Sequence, residues 1–295
     1  MIEQLYCSSD ITAGIHGQFT FISALNAFFS ITAILGNALI LVALRKESSL
    51  HPPSKLLLRC LATTDLCAGL IVEPLYLTLL VIVMNEHWNI CFPVAVAVSI
   101  TGYSLCLVSL LTLTAISVDR LLALLLGLRY REVVTEKRIY LITITFYVLS
   151  IAFSTMPIFW NSLFGSGYIM IVMSLCLVTS VFCYTNIFFT LRHHQHQLQD
   201  HVQQPNQANH LNIARYKKAV STTLWLQFML VVCYLPLLLV AVIIHSLPSS
   251  LASLTFSYAT TLASLNSSLN PILYCWKIDE VRRTVKDTIR QVLCC

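Results

Sequence analysis

Charge is scarce in this sequence: Asp, Glu, Lys and Arg together make up 11% of 295 residues. A water-soluble domain carries about 25%. With hydrophobic residues at 57%, the chain is expected to lie in a bilayer as a multi-pass protein. Metal-like cysteine spacing is also missing. The eleven cysteines are scattered, with no Cys-x-x-Cys pair and no His/Cys cluster at zinc spacing. Most lie in apolar runs, where cysteine behaves as a small hydrophobe. There is no internal repeat and no separate polar domain, and no basic flank precedes the first apolar run, which therefore reads as a retained span. The net charge of +5 does not point to nucleic acid, because the basic residues follow membrane topology.

Seven apolar segments are present, at 19–44, 56–84, 91–126, 139–163, 168–191, 220–247 and 251–276. The third exceeds a bilayer's thickness and is expected to tilt or project. Lys and Arg flank only alternate connections: Arg45, Lys46, Lys55 and Arg59; Arg120, Arg129, Arg131, Lys137 and Arg138; Arg192, Arg215, Lys217 and Lys218. The remainder, Lys277, Arg282, Arg283, Lys286 and Arg290, follow the last segment, which accounts for all 18. The positive-inside rule puts the N-terminus outside and the C-terminus inside, so the number of spans is odd. The expected division is an outer tail 1–18, a seven-helix bundle 19–276 and a cytoplasmic tail 277–295. The fold class is all-α membrane protein, set at the plasma membrane and in contact with the lipid bilayer.

The outer connections carry no Asn-x-Ser/Thr site; Asn266-Ser267-Ser268 falls inside the seventh span. The stretch 193–214 holds His193, His194, His196 and His201, which read as part of a polar linker rather than a metal site. Ile278, Val281, Val285, Ile289 and Val292 recur at helical spacing against charged residues, as in an amphipathic helix on the inner leaflet. Cys294 and Cys295 there are candidate palmitoylation sites.

Ionisable groups inside spans are expensive and usually functional. Asp65, Glu73 and Asp119 qualify. Asp65 has no Lys or Arg at its depth, so it needs a cation or a proton. Ser109, Asn266, Ser267 and Asn270 lie at comparable depth and offer hard oxygens that suit sodium or ordered waters. A protonated Asp65 in a hydrogen-bond network is the alternative. Asn266, Asn270 and Tyr274 share a helical face, interrupted by Pro271. Ser109 and Arg120 are eleven residues apart, about three turns, and so face the same way.

Several motifs now stand in order. They are Leu35-Gly36-Asn37, Leu61-Ala62 followed by Asp65-Leu66, Asp119-Arg120, Cys233-Tyr234-Leu235-Pro236, and Asn270-Pro271 followed by Tyr274. Together they resemble the rhodopsin-like G-protein-coupled receptors across nearly the whole chain. The resemblance implies that Arg120 engages a heterotrimeric G protein, with Tyr184 and Tyr274 swinging in to hold it. Leu128 matches the residue inserted into the G protein, and Asp119, Lys217 and Lys218 belong to the same coupling surface. Asp65, Ser109, Asn266, Ser267 and Asn270 match the family's sodium pocket, making sodium the one expected ion and leaving no other cofactor. Tyr234, Pro236 and Pro271 would form the activation hinge.

The departures matter as well. The triplet at the third span's end is Asp119-Arg120-Leu121, the sixth-span tryptophan is Tyr234, the fourth-span tryptophan is replaced by Tyr147, and Cys176 stands for the fifth-span proline. The acid expected on the sixth helix opposite Arg120 is replaced by Tyr216. The family's third-span cysteine would fall at Ala95; Cys91 lies a turn higher, and Cys7 is its expected disulfide partner. These departures look like the branch of melanocortin, lysosphingolipid, cannabinoid and adenosine receptors. The resemblance implies an extracellular ligand held by Glu73, Tyr76, Tyr103, Cys106, Tyr234, His245, Tyr258 and Thr261. Gly102 stands where amine receptors carry aspartate, so a peptide, lipid or purine is expected before a monoamine. Ser264 stands where opsins carry lysine, and no span core holds a lysine, so retinal is excluded. Glu73 would suit a cationic group, such as a basic peptide side chain, or else bonds to neighbouring helices. A transporter or channel is the alternative function, without the paired broken repeats such folds show. Asp65 and Asp119 sit at different depths and make no catalytic pair, so no enzyme is expected.

Overall fold

A computed structural model describes residues 6–7, 15–46, 51–159, 162–200, 225, 228–277 and 279–293. It is a seven-helix bundle with an eighth helix lying against it. We label the elements α1 (His16–Lys46), α2 (Pro52–Met84), α3 (Trp88–Leu126), α4 (Glu136–Phe159), α5 (Ser162–Asp200), α6 (Phe228–Ile243), α7 (Ser249–Lys277) and α8 (Asp279–Leu293). By length and composition, α1 to α5 can each cross a membrane. The described part of α6 is a shorter apolar helix, and α7 is interrupted by the Ser, Thr and Asn residues it turns inward. With 39 residues, α3 reaches about 58 Å, well beyond the ~30 Å hydrocarbon core.

Burial runs opposite to a soluble protein's. On α1 the buried stripe is Phe19, Ile22, Asn26, Ser30, Ala33, Asn37 and Ile40, while Phe21, Phe28, Ile31 and Leu35 point outward. Lipid is as apolar as leucine, so helices associate through small residues and polar contacts rather than through greasy faces. The seam between α1 and α7 is made this way. Asn26 Nδ2 donates to Thr261 Oγ1 at 2.9 Å, and Ser268 Oγ donates to the Phe29 carbonyl at 2.9 Å. Pro271 cannot donate to the carbonyl four residues back, that of Ser267. Asn37 Nδ2 donates to that freed oxygen at 3.0 Å.

Gly36 sits against the Pro271 ring: a Cβ there would lie 2.9 Å from Pro271 Cγ and 3.0 Å from its Cβ. Neither partner is a flexible side-chain end. Gly36→Ala is expected to destabilise the purified protein by about 1–3 kcal/mol, the usual cost of overpacking. An unchanged thermal midpoint would remove this contact from the account.

A π-turn, Ala68–Val72, interrupts α2. In a regular helix Asp65 and Glu73 would stand about 80° apart; the wider i→i+5 turn rotates the second half back. Ser30 Oγ donates to the Gly69 carbonyl at 2.9 Å inside this turn. A Cβ on Gly69 would meet Ile34, Ser30 and Ala33 of α1 at 3.0–3.2 Å, so glycine lets the two backbones close.

The core runs along α3, which packs on α2, α4 and α5. It ends at Gly127, whose φ of +51° suits glycine. The chain then passes through a short turn, Gly127–Arg129, into the one-turn helix Tyr130–Val133. At the far end, α8 packs on α1 and α7 with Val281 and Val285 buried. The expected apolar stripe is corrected at one position. Thr288 is buried and Ile289 is 40% exposed, because the packed face follows positions 281, 285 and 288 and leaves Ile289 on the flank. Ile278 and the side chain of Val292 lie outside the described residues.

Candidate functional site

Asp65 sits at the centre of the bundle, fully buried. Three neutral donors meet its carboxylate: Ser109 Oγ at 3.4 Å and Ser267 Oγ at 2.8 Å on Oδ1, and Asn270 Nδ2 at 2.7 Å on Oδ2. These come from α3 and α7, so one acid joins three helices. Asn266 is placed differently from the sequence expectation: its amide donates to the Tyr234 hydroxyl on α6 at 3.4 Å. The carboxylate and two hydroxyls form a hard-oxygen set at the floor of a cavity, which fits a small cation such as sodium. Among the described residues no cluster of three His, Cys, Asp or Glu exists to hold a softer metal.

The cavity, about 120 Å³, rises from this floor between α2, α3, α6 and α7. Glu73, Tyr76, Tyr103, Cys106 and Tyr234 line it. Glu73 and Tyr76 are buried; Ser264 serves the Glu73 carboxyl and Ser257 and Thr260 the Tyr76 hydroxyl, while Glu73 Oε2 lacks a hydrogen-bond partner among the described residues. Tyr258 and Thr261 are corrected. The cavity face of α7 carries Phe256, Thr260, Ser264 and Ser267; Thr261 is one step round the helix, where it meets Asn26, and Tyr258 is 36% exposed on another side. The side chain of His245 lies outside the described residues.

Two contributions were not read from the sequence. Phe256, Thr260 and Ser264 recur every four residues ahead of Ser267, a spacing that marks one face. Tyr6, in the N-terminal tail, is buried and lines the cavity, edge-on to Phe256 with ring centroids 6.1 Å apart. A disulfide between Cys7 and Cys91 at the start of α3 ties this segment down.

At the opposite end, Arg120 is 48% exposed and its Nε lies 3.9 Å from Asp119 Oδ2. Asp119 is buried and already engaged: Ser54 Oγ donates to Oδ2 at 2.9 Å and the Tyr130 hydroxyl donates to Oδ1. Burial and the Asp119 contact hold the Tyr130 phenol above its ordinary pKa. Neither Ser54 nor Tyr130 was singled out from the sequence, because the chain reverses at Gly127 before Tyr130 returns. Tyr184 is buried against Ser117 of α3. Tyr274 is buried with its hydroxyl unpartnered among the described residues. Pro236 lies within α6 and Pro271 within α7, with helix on both sides of each. Lys217, Lys218, Tyr216, Cys294 and Cys295 lie outside the described residues, as does the side chain of Leu128.

Residues 36–274 match the family described as 7 transmembrane receptor (rhodopsin family). Adenosine receptor A3 of Bos taurus is 25% identical over 300 residues, covering 94% of this chain and 91% of that protein. Adenosine receptor A3 of Ovis aries is 24% identical over 289 residues, covering 89% and 87%. Melanocortin receptor 5 of Rattus norvegicus is 23% identical over 286 residues, covering 90% and 82%.

Proposed function

This chain belongs to the rhodopsin family of seven-transmembrane receptors, and from that premise we propose that it passes an extracellular ligand signal to heterotrimeric G proteins. The family is one of receptors, not enzymes, and it leaves the transporter alternative without support. The observation that carries the proposal is the polar column through the bundle. It runs from the cavity lined by Glu73, through Asp65 and its partners on α3 and α7, to Tyr274, Tyr184 and Arg120 at the other end.

In this reading the N-terminus is outside and the C-terminus inside, as the Lys and Arg distribution requires. A ligand enters between α2, α3 and α7, and Tyr234 senses it at the cavity wall. The Pro236 kink lets α6 swing outward and uncover Arg120, and Tyr184 and Tyr274 close on it. Leu128, Lys217 and Lys218 meet the G protein. Cys294 and Cys295 are palmitoylated beside α8. Asp65, with Ser109 and Ser267, would hold a sodium ion, bordered by Asn266 and Asn270. That ion would balance the buried carboxylate and favour the resting packing.

Guanine-nucleotide exchange with purified receptor and a panel of G proteins tests this. At least one G protein should exchange faster than with empty membranes, and replacing sodium by potassium should raise that rate. Asp65→Ala should erase the difference between the two salts. No acceleration with any G protein would overturn the receptor mechanism; equal responses of wild type and Asp65→Ala to sodium would overturn the ion site alone.

A further inference from the structure

The cavity is electrostatically one-sided. Among its described lining residues are two acids, Asp65 and Glu73, and no Lys, Arg or His. Asp65 is met by three neutral donors. Glu73 is served by less: it is 4% exposed, Ser264 of α7 is the one neutral donor on its carboxyl, and Oε2 has no partner among the described residues. A buried carboxylate oxygen left unsatisfied in low dielectric is costly unless something else completes it. No basic side chain among the described residues of the cavity wall can do so, so either a proton or a cation from outside completes it.

Aromatic rings share the cavity wall with Glu73. Tyr6, Tyr103 and Phe256 all border the space. Tyr6 is delivered by the tail and held by the Cys7–Cys91 disulfide. Ring faces attract cations, most strongly where water is excluded. An anion would meet two carboxylates and no positive group. An aliphatic chain would fill the volume but leave Glu73 Oε2 unsatisfied.

We propose that the cavity binds an organic cation, an ammonium or guanidinium group that pairs with Glu73, donates toward Tyr76 and is boxed by Tyr6, Tyr103 and Phe256. The proposal rests on the receptor reading only for where the ligand comes from. The group belongs either to a small amine or to the basic side chain of a peptide. It is anchored from α2, which is consistent with Gly102 on α3 leaving no acid there. The tail is then part of the binding site rather than a cover over it.

The experiment is binding to purified full-length protein, read by thermal shift in potassium chloride, so that neither G protein nor sodium enters. The small probes are phenethylammonium and phenylguanidinium, each against the neutral phenethyl alcohol. The peptide probes are acetyl-Phe-Arg-amide and its uncharged citrulline counterpart. At least one cation should raise the thermal midpoint, with its neutral counterpart at least tenfold weaker. Binding by the small cations alone would identify a free amine, and binding by the arginine peptide alone a peptide. Glu73→Gln should weaken the active cation at least tenfold, and Tyr6→Ala should weaken it without changing its preference over the neutral counterpart. No shift with any cation, or equal shifts with the neutral counterparts, overturns the proposal on wild-type protein alone. Failure here would leave nucleotide exchange untouched, and failure of exchange would leave this binding untouched.

Discussion

Arg120→Ala is expected to remove G-protein coupling altogether, and the unsubstituted protein is expected to signal without ligand. The first follows from the proposed role of Arg120 in meeting the G protein, the second from how Arg120 is held. Its one ionic partner among the described residues is Asp119 at 3.9 Å, and Arg120 is half exposed. Both oxygens of Asp119 already accept hydrogen bonds, from Ser54 and Tyr130, so the carboxylate has little left for the guanidinium. In the resembled family an acid on the sixth helix often adds a second restraint; here the position is Tyr216, flanked by Arg215, Lys217 and Lys218. An exposed ion pair contributes up to about 1 kcal/mol, and 1.4 kcal/mol shifts a two-state ratio about tenfold. Losing up to that much restraint would move an active population of ~1% toward about 5%. Ligand-free nucleotide exchange at matched surface expression measures it, with Tyr216→Glu lowering the signal. Basal exchange equal to that of empty membranes, or a clear signal unmoved by Tyr216→Glu, would defeat this account of the resting state.

Cys7→Ser is expected to lower the thermal midpoint by about 5–10 °C. The Cys7–Cys91 bond joins residues 84 apart. Long closed loops give the larger stabilisations, typically about 2–4 kcal/mol, and about 1 kcal/mol moves the midpoint of a chain this size by roughly 2–4 °C. The bond also pins Tyr6 into the cavity, so organic-cation affinity should fall alongside stability. Cys91→Ser should match Cys7→Ser, and the double variant should be no worse than either. Non-reducing peptide mapping checks the premise. A free thiol at either position in folded protein, or an unshifted midpoint in both single variants, would sink it.

The helices and the polar column were legible in the sequence for one reason: a polar residue in an apolar run stands out against its neighbours. Asp65, Ser109, Ser267 and Asn270 were found that way, and the structure brings all four together. What failed was rotation and reversal. Tyr258 and Thr261 were assigned to the cavity through the family resemblance, but one residue turns a helix by about 100°, and the cavity face runs through Thr260 and Ser264. The π-turn at Ala68–Val72 carries only apolar residues and glycine, so nothing in its composition marks the extra residue. Tyr130 was hidden because its partner Asp119 precedes a chain reversal at Gly127. Tyr6 stood next to Cys7, and following the tethered cysteine to its neighbour would have led to the cavity wall.

Ser267 serves two masters with two different atoms. Its hydroxyl goes to Asp65 on α2, while its carbonyl, released by Pro271, goes to Asn37 on α1. Side-chain replacement reaches only the first of these. Ser267→Ala silences the link to the acid and leaves the tether to α1 in place, whereas the tether is severed from the other side, at Asn37. A two-by-two set of those variants therefore separates, within one residue, the part of α7 that holds a charge from the part that holds a shape.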